Sequence, residues 1–208
     1  GGCFITGHDP KTGKEVWRFN TIAQPGERGG DTWNGLPREQ RNGGSVWITG
    51  SYDPDTGLAY FGTGNTYDTR PLLDSRPGVS NAALHTDSTL AIDPQTGRLA
   101  WAFQHLPNDQ WDLDWSFETQ LVKLPGLGGP RTVTLSSGKI GIYEAVDAAT
   151  GQFVFAYDLG LQNIVTAINP ETGAKTINPE VMPGDGKLKL VCPHGAGAKN
   201  FQPASYDA

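Results

Sequence analysis

The chain has 208 residues, enough for one sizeable core, and its 16 Lys and Arg against 22 Asp and Glu leave a net charge of −6. No basic run exists to neutralise phosphates, which excludes a nucleic-acid partner, and no apolar run approaches the length needed to cross a membrane. The 28 Gly and 15 Pro are spread among six Trp, six Tyr and eight Phe, so the composition reads as many short strands joined by turns, not as low-complexity disorder.

Gly1-Gly2-Cys3-Phe4-Ile5-Thr6 already reads as a strand, with no initiator methionine or leader before it. The expectation is a piece of a longer protein, cut at both ends. A motif then recurs. Asp9-Pro-Lys-Thr12-Gly13 leads to Trp17, Asp93-Pro-Gln-Thr96-Gly97 to Trp101, and Asp147-Ala-Ala-Thr150-Gly151 to Phe155. Asp53-Pro-Asp-Thr56-Gly57 leads to Tyr60-Phe61, and Asn169-Pro-Glu-Thr172-Gly173 keeps only the turn. Asp or Asn starts such a turn and the Gly closes it at positive φ. Apolar residues before it and a β-run after it make each copy a hairpin. The four Asp positions lie 44, 40 and 54 residues apart. A period of roughly 40–50 residues with a hairpin in each predicts an all-β chain of propeller blades, about four of them, as one domain over 1–208. A partial ring leaves blade faces for neighbours to cover.

Two long polar excursions interrupt the pattern, at 24–44 and 66–88, and loops of that length are functional or mobile. Residues 124–131 read as a plain turn. Cys3 and Cys192 form no metal-binding pair, and each is open to being a free thiol or half of a disulfide. His8, His85, His105 and His194 show no ligand spacing and receive no role.

The stretch Pro107-Asn108-Asp109-Gln110-Trp111-Asp112-Leu113-Asp114-Trp115 holds three acids in six residues. On an extended run, Asp112 and Asp114 point to one side, and two such carboxylates need a cation or a proton between them. Trp111 and Trp115 flank the pair as dry walls. The plainer reading is a polar loop whose acids face water.

Gly43-Gly44-Ser45-Val46-Trp47, Tyr60-Phe61-Gly62-Thr63-Gly64-Asn65 and Pro107 to Asp114, joined to the Trp-ending turns, resemble the quinoprotein alcohol dehydrogenases. These are pyrroloquinoline quinone (PQQ) enzymes of the methanol and ethanol dehydrogenase type, with an eight-bladed propeller. The resemblance runs essentially from Gly1 to Ala208 and covers a middle third of such an enzyme. It implies that Trp47 stacks flat on PQQ, in place of a blade-core Trp such as Trp17 or Trp101. It implies that Asn65 is an oxygen ligand of the metal and that Asp112 is both a ligand and the general base for the alcohol. Calcium members carry a small residue where Asp114 stands. Lanthanide members carry an acid there, so the resemblance favours lanthanide(III) over calcium. Lys139 matches the family's cation beside the quinone oxygens, and Asn200, in Gly197-Ala-Lys199-Asn200-Phe201, an Asn that touches the cofactor. A glutamate ligand and a vicinal disulfide are implied upstream of Gly1. The implied function is periplasmic oxidation of a small primary alcohol, with electrons passed to a cytochrome c. The alternatives are a protein-binding propeller scaffold without chemistry, or a sugar-oxidising quinoprotein.

Overall fold

The computed structural model describes residues 3–125 and 131–207. The middle of the turn expected at 124–131 lies outside the described residues. A first hairpin pairs β1 (Phe4–His8) with β2 (Glu15–Asn20). A four-stranded antiparallel meander follows, from β3 (Ser51–Asp53) and β4 (Leu58–Gly62) to β5 (Ser88–Ile92) and β6 (Leu99–Gln104). A second meander holds β7 (Gln120–Leu124), β8 (Arg131–Ser137), β9 (Ile142–Asp147) and β10 (Phe153–Asp158). A last hairpin pairs β11 (Val165–Ile168) with β12 (Lys175–Ile177). These four sheets are the expected blades, two of them complete. One detail of the repeat differs. The Asp53 and Asp93 turns are two hairpins of a single sheet, so their 40-residue step is not a blade period.

The repeated turn forms as its residues dictate. The Asp9 side chain accepts the Thr12 N–H and hydroxyl at 2.7 and 2.9 Å, and the Asp147 side chain accepts those of Thr150 at 2.9 Å each. Gly97, Gly151 and Gly173 each sit at φ 72°. They also lack a Cβ for a second reason. One added at Gly97 would meet the Trp17 ring at 2.6 Å, one at Gly151 the Trp101 ring at 2.6 Å, and one at Gly173 the Phe153 ring at 2.5 Å. Each aromatic ring thus lies on the turn of the next sheet, and the Trp17 and Trp101 indoles donate to the Pro94 and Ala148 carbonyls at 2.9 and 3.1 Å. In the third copy Phe153 takes the seat, while Phe155, at the position the motif marks, is exposed.

The two excursions pack on each other instead of lying loose. Ile22, Trp33, Leu36, Leu72 and Ala83 form a small core of their own, with Leu72 on the single helical turn α1 (Arg70–Leu73). Buried Arg41 ties it down by donating to the Leu36 and Ala23 carbonyls at 2.9 and 2.6 Å.

Two histidines without expected roles are buried, and one organises the core. His105 stacks on Trp115 at 4.1 Å and bonds Glu144 and Thr89 at 2.8 Å each. Both Glu144 oxygens also accept from Lys175 Nζ at 2.8 Å. Three sheets meet there. Burial pushes the Glu144 carboxyl up, but Lys175 and His105 outweigh burial and hold it below its ordinary range. Removing one partner strands a buried charge. Glu144→Gln is expected to cost about 3–5 kcal/mol in denaturant unfolding, and Glu144→Leu with Lys175→Met much less.

Asp109 is the second buried charge with a measurable consequence. Its carboxylate accepts the Trp111 and Leu113 N–H groups, yet burial dominates and raises its pKa to about 7 from 3.8. The folded state therefore holds an extra proton between those values. The stability this contributes is fully present below pH 3.8 and is lost as pH rises through about 7. Asp109→Asn is expected to flatten the fall in unfolding free energy between pH 4 and 7 by about 4 kcal/mol, read from urea titrations across that range.

Candidate active-site cleft

Because each complete blade is an antiparallel meander, the repeat turns close one end and the β4–β5 and β8–β9 connections close the other. Four segments gather at that second end. Two are brought together by backbone pairing: Gly44 N–H donates to the Asn65 carbonyl and Gly64 N–H to the Ser45 carbonyl, at 2.9 Å each. Gly43 permits the approach, since a Cβ there would meet the Asn65 oxygen at 2.2 Å. The third segment, 107–114, is anchored by the Asp109 carboxylate described above. The fourth is the β8–β9 turn, where Lys139 N–H donates to the Asp114 carbonyl at 3.0 Å.

The cleft these segments surround measures about 790 Å³ and is lined by Ser45, Trp47, Asn65, Tyr67, Thr69, Gln110, Trp111, Asp112 and Asp114. Trp47 is 43% exposed, its ring edge-on to Phe117 at 5.3 Å. The Asp114 side chain is buried. Its Oδ1 accepts the Asn65 N–H at 2.9 Å, and a Cβ on Gly64 would stand 2.3 Å from that oxygen. Its Oδ2 lies 2.6 Å from Lys139 Nζ. The ammonium also reaches Asp112 Oδ1 at 3.0 Å and the Asp112 carbonyl at 3.1 Å. Asp112 is the exposed partner, its side chain 60% accessible. Partial burial raises its carboxyl above the ordinary range; Lys139 opposes this and the Asp114 charge adds to it. Burial pulls the Lys139 ammonium down, but the two carboxylates outweigh it and leave it raised.

The structure thus brings Trp47, Asn65, Asp112, Asp114 and Lys139 together and leaves Asn200 apart. Asn200 lines a separate cleft of about 480 Å³, and its amide is spent on its own turn, donating to Ala196 O at 2.7 Å and accepting Phe201 N–H at 2.8 Å. The segment before it backs the site: Ala198 N–H donates to the Lys139 carbonyl at 2.7 Å. Two further expectations change. The carboxylates do not converge through an extended run, because Asp112 sits at φ 63°, and they meet on an ammonium. Of the two flanking indoles only Trp111 walls the cleft, while Trp115 is core.

Sequence reasoning also missed Tyr67 and Gln110 as walls, and Asp87 as a fully buried carboxyl below the site. Asp87 sits in a polar run, His85-Thr86-Asp87-Ser88, whose composition signals only a loop. Neither of its oxygens has a hydrogen-bond partner among the described residues. Burial, then the charges of Asp109, Asp114 and Asp112, push it well above the carboxylate range. Among the described residues no three His, Cys, Asp or Glu side chains are grouped to hold a metal. The cleft offers two carboxylates and an amide, an all-oxygen set that fits a hard cation once further ligands join it. The open face of Trp47 and the ammonium of Lys139 fit a planar, anionic quinone.

The family of PQQ-dependent glucose, ethanol and alcohol dehydrogenase β-propeller domains matches residues 2–159. A quinohemoprotein alcohol dehydrogenase, ADH-IIG, of Pseudomonas putida is 33% identical over 98% of the chain, and the chain spans 30% of that protein. The solved structure of ADHIIG superposes with a TM-score of 0.87 at 32% identity, over 98% of this chain and 31% of that one. A europium-containing methanol dehydrogenase superposes with a TM-score of 0.81 at 27% identity, over 98% of this chain and 38% of that one. The family model covers residues 2–159, and relatives and solved structures match over nearly the whole chain: the chain belongs to the PQQ-dependent alcohol dehydrogenase β-propeller family.

Proposed function

We propose that the protein containing this chain oxidises a small primary alcohol to the aldehyde, using PQQ and a bound cation, and passes the electrons to a cytochrome c in the periplasm. The observation that carries this is the meeting of Trp47, Asn65, Asp112, Asp114 and Lys139, drawn from four segments, around one cleft. The name quinohemoprotein, printed for the Pseudomonas putida relative, supports haem as the next electron carrier.

What bound PQQ and the cation supply is a two-electron acceptor and a Lewis acid. The chain supplies the rest. Trp47 presents an aromatic platform with one face toward the cleft, and Trp111 and Tyr67 wall the space beside it. Asn65, Asp112 and Asp114 would hold the cation. Asp112, the exposed carboxylate of the pair, would also take the hydroxyl proton of the alcohol; partial burial raises its carboxyl above the ordinary range. Lys139 would set positive charge beside the quinone oxygens. The 194–200 segment closes behind Lys139, the Ala198 N–H donating to its carbonyl. The second carboxylate, Asp114, favours lanthanide(III) over calcium, because a trivalent ion needs more anionic oxygen. Similarity to a europium-containing enzyme supports this choice.

Two substitutions test the reading in the full-length protein, assayed for dye-linked alcohol oxidation with PQQ and either lanthanum or calcium. Asp112→Asn is expected to lower kcat by about 10²–10⁴-fold while PQQ still binds. Undiminished turnover would remove the base assignment. Asp114→Ala is expected to abolish lanthanum-supported activity and spare or improve calcium-supported activity. A variant that keeps its lanthanum activity takes Asp114 out of the metal shell.

A further inference from the structure

We propose that Lys139 is the cation's stand-in. Its ammonium holds the carboxylates of Asp112 and Asp114 together before the metal arrives, and metal binding turns it out toward the face of Trp47. This rests on the functional reading above and adds an order of events to it.

The geometry carries the first half. Three oxygens, Asp114 Oδ2, Asp112 Oδ1 and the Asp112 carbonyl, surround Nζ at 2.6, 3.0 and 3.1 Å. That is a cation's oxygen shell with an ammonium inside it. Of the two Asp114 oxygens, Oδ1 already accepts the Asn65 N–H and lies against bare Gly64 backbone, so Oδ2, the oxygen that holds Nζ, is the one that faces an incoming metal. A metal that takes Asp114 through Oδ2 arrives at the atom Nζ already holds at 2.6 Å. Two cations at bonding distance from one buried oxygen repel each other without solvent to screen them.

The second half follows from what can move. The Lys139 backbone is pinned on both sides, its N–H to Asp114 and its carbonyl to Ala198. Only the four-carbon stem is free to swing, and lysine carries its charge as a compact point on a flexible stem. Trp47 is the available landing face, its ring centroid 6.0 Å from Nζ. A displaced ammonium near that face stands where an anionic ring stacked on Trp47 offers it oxygens. Lysine then opposes metal binding when the cofactor is absent and stops opposing it when the cofactor is present. By linkage, each ligand tightens the binding of the other through the position of one side chain.

The test uses full-length protein stripped of metal and cofactor, with terbium(III) luminescence sensitised by the cleft tryptophans as the readout. Without PQQ, Lys139→Met is expected to bind terbium about tenfold or more tightly than wild type; with PQQ the gap is expected to fall below about threefold. Removal of a remote positive charge raises affinity by the same factor in both states, and that result overturns the proposal. A second measurement needs no variant. Acylation of Lys139 in the wild-type protein, followed by mass spectrometry, is expected to rise when terbium is added and to fall again with PQQ. Acylation that ignores terbium also overturns it. If terbium binds none of these proteins, the metal reading fails and the stand-in fails with it. If terbium binds wild type and Lys139→Met alike, with or without PQQ, only the stand-in fails.

Discussion

The architecture depends on an aromatic ring seated on a glycine of the next sheet. Trp17 lies on Gly97, Trp101 on Gly151 and Phe153 on Gly173, each ring where a Cβ would otherwise be. One residue type satisfies two demands at these places. The turn needs positive φ, and the ring needs bare backbone. The side-chain bonds of Asp9 and Asp147 to the Thr three residues on make the turn rigid before any sheet packs on it. Sheets joined this way keep a constant orientation to their neighbours. Their opposite ends can then bring 43–47, 64–65, 107–114 and 138–141 to one place without a helix or a metal to assemble them.

That second end needs a different kind of closure. The segments there meet through backbone pairs and through charge. Gly43 and Gly64 allow contacts that any side chain would block, and Asp114 uses one oxygen to fix the Asn65 backbone and the other to hold Lys139. The pair of acids is stable at this separation because an ammonium lies between them. The same arrangement that stabilises the fold locally sets three oxygens around one positive charge. The excursion at 66–88 contributes Tyr67 and Thr69 to the side wall, and the core it shares with 24–44 around Trp33 and Leu72 explains why so long a loop holds them in place.

Much of this was legible in the residues, because it is local or carried by a family word. The turns depend on five consecutive residues each, and every one forms as read. Trp17 and Trp101 were separable from Trp47 because only they follow a turn at a fixed distance. What escaped depends on distance along the chain. His105, Glu144 and Lys175 are 39 and 31 residues apart, and no pattern in sequence marks a buried triad assembled across three sheets. The geometry of Asp112 escaped for the opposite reason. Alternation assumes an extended chain, and the Asp109 carboxylate, by capturing the N–H groups of Trp111 and Leu113, coils the stretch instead. Asn200 was read from its neighbours' identity, but its amide closes its own turn.

Environment separates four identical side chains around this cleft. Asp87 is buried with no partner among the described residues and is driven toward the neutral acid. Asp109 is buried with two N–H donors, which recover part of the cost and leave it titrating near 7. Asp114 is buried but has an ammonium and an N–H, and Asp112 has water on one side and the same ammonium on the other. Burial of a carboxylate is costly in proportion to what fails to replace its water, so the charge recedes from the interior and concentrates at the mouth. The two carboxyls that burial drives up most strongly, Asp87 and Asp109, lie inside, while Asp112 and Asp114 share the Lys139 ammonium at the mouth. The two carboxylates at the mouth thus share one counter-charge, the Lys139 ammonium.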